Sequence, residues 1–333
     1  MKKILIIKIG AMGDIALASS VLIPLKQLYP DSRITWLCGD DLKELVENFP
    51  EVDNIITVSR RLVSGTIFHK IIFTLFCWFR LSFSRYDLCL IAHNGKRYKI
   101  LPILISAKRF RLYSGRSGSI PGRYRGTDYA RLADGSDCKN NLPPQFPKIK
   151  FGTTAYPRSV LLFPGGAYYE APFDGLRRWS VDKYRSLAER LLSDGHRVTL
   201  IGGASDKWVE RYFAGLNVAS AVGKTSINSL LALISESSAL VSHDSGPMHL
   251  AVLVKTPLVA LFGPTWHRDC LPQNGNFTAV YPDIPCYPCY DGKYFAFSCA
   301  AKRKKYEDTF EEPSCLADIS VNRVLEELRK YIN

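Results

Sequence analysis

Four segments of this chain carry residue types that could do chemistry. The first, Lys8-Ile9-Gly10-Ala11-Met12-Gly13-Asp14, joins an apolar strand to a helix. A glycine-rich turn at that junction leaves backbone N–H groups open at the positive end of the helix dipole, where a phosphate or a sugar hydroxyl can approach. The G-x-G-x-x-G spacing is absent, which disfavours a nicotinamide-dependent dehydrogenase. Asp14 places a carboxylate at the carboxyl edge of the strand, where doubly wound sheets bind ligands. The same residue would serve equally well as a helix cap.

The second segment is Ser242-His243-Asp244-Ser245-Gly246-Pro247-Met248-His249-Leu250. It follows a strand and opens a helix, with Pro247 suited to the first turn. The Ser245 hydroxyl, the N–H groups from Gly246 onward and His249 could together hold a diphosphate. The plainer alternative makes Asp244 or Ser245 a cap and His249 a packed core residue. Gly263-Pro264-Thr265 ends the next strand on the same sheet edge and should border the same ligand.

The third segment runs from Phe163-Pro164-Gly165-Gly166-Ala167 to Arg177-Arg178-Trp179-Ser180. An arginine here could neutralise charge on a departing phosphate; otherwise the pair is solvated and Trp179 packs. Gly202-Gly203-Ala204-Ser205-Asp206 ends the following strand, and its acid could take a ribose hydroxyl. The fourth segment is Cys286-x2-Cys289 with Cys299 and Cys315 downstream. Four such thiolates could clamp a structural zinc or iron in a proline-containing loop, or remain free thiols. No histidine lies near them in sequence to act as their base.

The elements that must position these residues alternate as in parallel α/β sheets. Strands are expected over 4–9, 33–38, 54–58 and 87–92, with helices over 15–29, 42–48 and 68–83. The proline-bearing stretch 140–157 interrupts the pattern and reads as a linker. Beyond it, strands at 159–163, 197–201, 239–242 and 257–262 alternate with helices at 182–193, 207–214, 227–235 and 247–254, and an amphipathic helix at 321–331 closes the chain. The expectation is an α/β protein with an N-terminal Rossmann-like domain over 1–150, a second over 151–318 and a C-terminal helix over 319–333, the site lying in the cleft where the domains face each other.

Composition sets the outer bounds. The chain has 333 residues, 47% of them apolar and 23% charged, which excludes disordered, collagen-like and coiled-coil classes. Its formal charge of +13 implies an acidic partner: nucleic acid, an anionic membrane or a phosphorylated substrate. Between residues 93 and 127 there are nine Lys or Arg and no Asp or Glu, with tyrosines and Phe110 interleaved. That stretch suits an acidic lipid-linked saccharide or an anionic membrane face; arginines beside aromatics also grip single-stranded nucleic acid. The opening Met1-to-Leu25 stretch lacks the pattern of a signal peptide, because Lys8 and Asp14 interrupt it, and nine scattered cysteines fit a reducing compartment. A cytoplasmic protein is expected. The apolar run 67–83 is broken by His69, Lys70 and Arg80, so it reads as a buried or membrane-surface helix rather than a membrane span.

Taken together, K-x-G-x-x-G-D at 8–14, R-R-W-S at 177–180, V-G-K-T-S at 222–226, D-S-G-P-M-H-L-A at 244–251 and F-G-P-T at 262–265 resemble glycosyltransferase family 9, the lipopolysaccharide heptosyltransferases and their relatives. The resemblance implies the two-domain GT-B fold and inverting transfer of a sugar, by default heptose from ADP-heptose, to an acidic lipid-linked saccharide at the cytoplasmic face of the inner membrane. Asp14 would then be the general base, with Gly13, Lys96, Arg97 and Arg116 on the acceptor side. Arg177, Asp244, Ser245, Gly246 and His249 would line the donor, Thr225 would lie near its nucleotide and Asp206 near its ribose. Many members carry Lys where Arg177 stands, a change that keeps the cation but alters its hydrogen-bond geometry. No cofactor is required for catalysis on this reading, and the lack of a D-x-D motif gives no reason to place a metal on the diphosphate. Another nucleotide sugar remains an alternative, as does a basic nucleic-acid-binding protein, though no nucleic-acid partner is expected.

Overall fold

The computed structural model describes residues 1–59, 62, 66–81, 84–95, 98, 101–113, 122–135, 146–149, 151–166, 174–289 and 312–332. The chain divides into two compact units, Met1–Lys150 and Phe151–Asn333.

In the first unit β1 (Lys3–Ile7) is buried from Ile4 onward, as expected of a strand covered on both faces. It is followed by α1 (Met12–Ala18), α2 (Leu22–Leu28), β2 (Arg33–Gly39), α3 (Lys43–Glu47), β3 (Asn54–Val58), α4 (Ile67–Leu81), β4 (Leu88–Ile91), α5 (Leu101–Leu104), β5 (Phe110–Leu112) and α6 (Arg125–Ala130). The five strands are parallel in the order β3-β2-β1-β4-β5. The order reverses between β1 and β4, so the carboxyl ends of those two strands bound the ligand crevice of such a sheet. The single helix expected over 15–29 is in fact two, separated by a 3-10 turn at Ser19–Val21. Pro24 has no N–H to offer the Ser20 carbonyl, and the Ser19 and Ser20 hydroxyls donate to the Ala16 and Leu17 carbonyls, each at 2.7 Å.

The second unit repeats the plan. It contains β6 (Val160–Phe163), α7 (Val181–Ser193), β7 (Val198–Leu200), a 3-10 segment Ala204–Phe213, β8 (Ala219–Ser220), α8 (Ile227–Glu236), β9 (Ala239–His243), α9 (Gly246–Val254), β10 (Leu258–Leu261), α10 (His267–Cys270), β11 (Phe277–Val280), α11 (Ser314–Ala317) and α12 (Val321–Ile332). The sheet order is β11-β10-β9-β6-β7-β8, again parallel, with its reversal between β6 and β9. The α-helix expected over 207–214 is the 3-10 segment, which begins earlier because Asp206 folds back onto the Gly203 N–H at 2.8 Å. α12 joins this unit's core through Val324, Leu325 and Leu328. Trp179 is fully buried beneath it and donates from its indole nitrogen to the Ile319 carbonyl at 3.0 Å. Lys183, on α7, donates to the carbonyls of Leu316, Ala317 and Ile319, satisfying the end of α11.

Among the described residues no helix is long and apolar enough to cross a membrane.

Candidate active site

At the reversal point of the first sheet, β1 delivers Lys8 into the protein and the turn after it delivers Asp14 to the surface. The Lys8 side chain is 4% exposed and that of Asp14 39%. A buried ammonium needs partners, and it has two: Nζ donates to Asp14 Oδ2 and to Tyr129 Oη, both at 3.0 Å. The ammonium also lies 5.3 Å from the centre of the Tyr129 ring. Tyr129 comes from α6, which packs on α1, and it stacks on Tyr113 with ring centres 4.5 Å apart. From the neighbouring strand β4, His93 Nε2 accepts from the Ile9 N–H at 2.9 Å and its ring stacks on Tyr98 at 4.0 Å. Backbone and ring contacts thus fix both strand ends.

The electrostatics follow from this packing. Burial alone would raise the Asp14 carboxyl, but the Lys8 charge and hydrogen bond, helped by Arg125 and His93, outweigh it and hold the group below its ordinary 3.8. Asp14 also sits in the first turn of α1, where a carboxylate is favoured by the helix dipole. The Tyr129 hydroxyl, raised well above its usual range by burial and then by Asp14, stays neutral. What results is an ionised, partly exposed carboxylate held by a buried cation. Gly13 is buried beside it in α1. Lys96, Arg97 and Arg116 lie outside the described residues.

At the reversal point of the second sheet the chemistry has the other sign. β9 ends in His243 and leads through Asp244 and Ser245 into α9. The Ser245 hydroxyl does not cap that helix; it donates to the His243 carbonyl at 2.9 Å and lies 3.0 Å from Ser242 Oγ. Ser245 therefore gives α9 no side-chain cap, and the first N–H groups of a helix are of the kind that bind anions. Arg177 reaches Asp244 Oδ2 at 3.5 Å, with a third of its side chain exposed, and His249 Nε2 lies 3.8 Å from Asp244 Oδ1. Asp244 thus gathers both groups beside the helix end. Burial, then Arg178 and Arg177, push His243 down to about 3, so it contributes no charge.

The turn after β6 is built for close approach. Gly166 has φ +79°, a left-handed conformation that favours glycine. A Cβ on Gly165 would fall 2.6 Å from Asp206 Cγ. Asp206 is buried, and its carboxylate accepts from the N–H groups of Gly166 at 2.7 Å and Gly203 at 2.8 Å. Each oxygen thus accepts one backbone N–H, which ties the two glycine turns together. Arg178 donates to the Gly166 carbonyl at 2.8 Å and lies over Trp208 at 4.9 Å, so Arg177 is the member of the pair turned toward Asp244. Thr225 is half-buried just ahead of α8, whose cap is Ser226.

An aromatic group beyond β10 carries no local sequence motif of its own. His267 Nδ1 lies 2.8 Å from Tyr287 Oη, and Tyr281 stacks on His267 at 4.3 Å. Burial, then Arg268, lowers His267 to about 4. Only the position of His267 after F-G-P-T signals it, because its partners lie 14 and 20 residues farther along the chain. Lys8 and Tyr129 were likewise missed as a pair; Lys8 falls inside the motif, but nothing local ties it to a tyrosine 121 residues away.

Of the four cysteines, Cys286 is exposed, Cys289 half-buried and Cys315 buried, while Cys299 lies outside the described residues. Cys289 donates its N–H to the Pro264 carbonyl at 3.1 Å. A Cβ on Gly263 would stand 3.3 Å from Cys315 Sγ, so both residues flank the Gly263-Pro264 turn. Among the described residues no group of three His, Cys, Asp or Glu is arranged to hold a metal.

Comparison with known proteins bears on the fold and the family. Residues 138–295 match the model of glycosyltransferase family 9 (heptosyltransferase). Lipooligosaccharide heptosyltransferase 2 of Haemophilus ducreyi is 29% identical over 99% of each chain. Lipopolysaccharide heptosyltransferase 2 of Escherichia coli is 32% identical over 49% of this chain and 44% of its own. The structure of E. coli ADP-heptose lipopolysaccharide heptosyltransferase II superposes with a TM-score of 0.76 at 21% identity, covering 99% of this chain and 98% of that one. The fold is of the GT-B type, and the stretch 138–295 is what the chain shares with the glycosyltransferase family 9 model.

Proposed function

We propose that the protein is an inverting heptosyltransferase that moves heptose from ADP-heptose onto an acidic, lipid-linked lipopolysaccharide core, with Asp14 as general base. The observation that carries this reading is the ionised Asp14, fixed by Lys8 at the reversal point of one sheet. The α9 N-terminus, without a side-chain cap from Ser245, and Arg177 at the reversal point of the other supply its counterpart. The reading gives the acceptor to the first unit and the donor to the second, and the reaction requires the two substrates to meet at Asp14.

In the reaction Asp14 takes the proton of the acceptor hydroxyl as that oxygen attacks the anomeric carbon of the heptose. The bond from that carbon to the diphosphate oxygen breaks, ADP leaves with the electron pair, and the attacking oxygen ends on the opposite face. Because Lys8 keeps Asp14 weakly basic, its contribution is placement rather than proton affinity. Negative charge that builds on the leaving diphosphate is met by the first N–H groups of α9 and by Arg177. The Asp244 carboxylate holds Arg177 and His249 and is suited to accept from hydroxyls of the donor sugar. We assign Asp206 to the glycine turns and Thr225 to the nucleotide side. Such an enzyme would work from the cytoplasm at the inner-membrane face.

A thermal-shift series with ADP-heptose, UDP-sugars and GDP-sugars tests the donor, since a ligand bound by the native state raises its melting temperature. Stabilisation by ADP-heptose alone is expected; stabilisation by a UDP- or GDP-sugar instead would move the protein to another donor within the family. Elemental analysis tests the cysteine set, where a thiolate site with Cys286, Cys289, Cys299 and Cys315 should yield about one zinc or iron per chain.

A further inference from the structure

Helix α4 is apolar on two faces, and the fold uses only one. Phe73, Cys77 and Leu81 point into the core of the first unit, beside Tyr86, Cys89 and Ile91. Phe68, Ile71, Leu75, Trp78 and Phe79 face outward at spacings of three and four residues, and Phe68 and Phe79 are each 68% exposed. Ile103, on the adjoining α5, adds an 82% exposed side chain. Six of the ten large apolar side chains found exposed among the described residues are therefore collected here. A helix that is apolar all round is ordinarily enclosed, and nothing in the packing of the core calls for the outer stripe.

The charge around the helix says what covers it. α4 contains no acidic residue. Arg80 is exposed on it, and Arg85, Lys108 and Arg109 are exposed at its carboxyl end, where Lys108 bonds its backbone to Tyr86. Asp87, close in sequence to these cations, is paired with Lys108. A second copy of this chain would set the same cations against themselves. An anionic bilayer instead offers phosphate charge for the arginines and lysines and an acyl boundary for Phe, Leu and Trp.

We infer that α4 docks the protein on anionic lipid, lying in the plane of the interface with Phe68, Ile71, Leu75, Trp78 and Phe79 inserted and the flanking basic residues on headgroups. At 15 residues the helix is about 22 Å long, too short to span a bilayer but adequate to lie on one. The inference deepens the proposed function by naming the membrane face at which a lipid-linked acceptor would be met, and it rests on that reading for its purpose only.

The test is cosedimentation with vesicles of phosphatidylcholine containing phosphatidylglycerol, without donor or acceptor. The wild type should bind, more weakly as salt rises, and its Trp78 emission should be quenched by brominated lipid. Leu75→Glu/Trp78→Glu should lower the partition coefficient about tenfold or more, with an unchanged circular dichroism spectrum and normal transfer to a short water-soluble acceptor. Arg80→Gln/Arg85→Gln, which leaves the apolar stripe whole, should reduce binding to the anionic vesicles selectively. Asp14→Asn should bind vesicles like the wild type, so failure of the catalytic reading does not touch this result. Absence of wild-type binding at low salt, equal binding by Leu75→Glu/Trp78→Glu, or a solution dimer broken by that double variant would each overturn the inference.

Discussion

The two sheets reverse their strand order at equivalent places, yet the carboxyl edges there carry opposite chemistry. Between β1 and β4 the exposed group is an anion, Asp14, and its cation Lys8 is buried. Between β6 and β9 the anion Asp244 is buried, 4% exposed, and its cation Arg177 faces outward. On the proposed function the first edge would serve a carboxylate that accepts a proton and the second a donor that is itself anionic. The difference arises from which member of each ion pair stands buried at the strand end, the lysine in the first sheet and the aspartate in the second.

Exchanging or neutralising the exposed member should show the contrast at its sharpest. Asp14→Asn should lower kcat by about two to four orders of magnitude while leaving the melting shift caused by ADP-heptose unchanged; near-normal turnover would remove Asp14 from the mechanism. Arg177→Ala should act on the other side, weakening donor binding by about tenfold to a hundredfold through loss of a charged hydrogen bond. Arg177→Lys should recover part of that loss in the same titration.

The buried members should give smaller and different signals. With Lys8→Met the carboxyl loses its chief stabilising charge, so the acid limb of the kcat/KM profile should move to higher pH; Lys8→Arg should return it. His243 gives the second sheet its own pH signature. Its folded-state value of about 3 lies below the 6.5 of an unfolded histidine, so the unfolded chain takes up a proton that the native chain refuses. Stability is then full above about pH 6.5 and falls by about 1.4 kcal/mol per pH unit below it, down to about pH 3. Urea titrations from pH 7 to pH 4 should show a slope to which His243 and His267 both contribute, and His243→Asn should lose the His243 share of it. Tyr129→Phe should have the mildest effect, about 0.5 to 1.5 kcal/mol of stability or several-fold in rate, since Lys8 keeps its bond to Asp14.

Much of this arrangement was legible in the chain. The strand ending before Gly10 and the one ending at Ser242-His243 are continuous apolar runs followed by a glycine and a helix start, so Asp14 and Asp244 could be placed at sheet edges from local pattern alone. The short edge strands β5, β8 and β11 were not legible, because two to four residues carry too little periodicity and owe their pairing to the neighbouring strand. Asp206 illustrates the limit at a site residue. Its place after a strand is local pattern, but its bond to the Gly166 N–H comes from a turn 40 residues away and no spacing announces it.

By itself the amino-acid sequence determined the longer elements, the two α/β units and the resemblance to the family, since those follow from hydrophobic period, glycine and proline placement and contiguous motifs. Only the tertiary structure decided the partners. Lys8 meets Tyr129 across 121 residues, Arg177 meets Asp244 across 67, and His267 meets Tyr287 through the loop after β11. Ionisation and side-chain direction depend on which groups come within a few ångströms and on what excludes water from them, and spacing along a chain does not encode that distance.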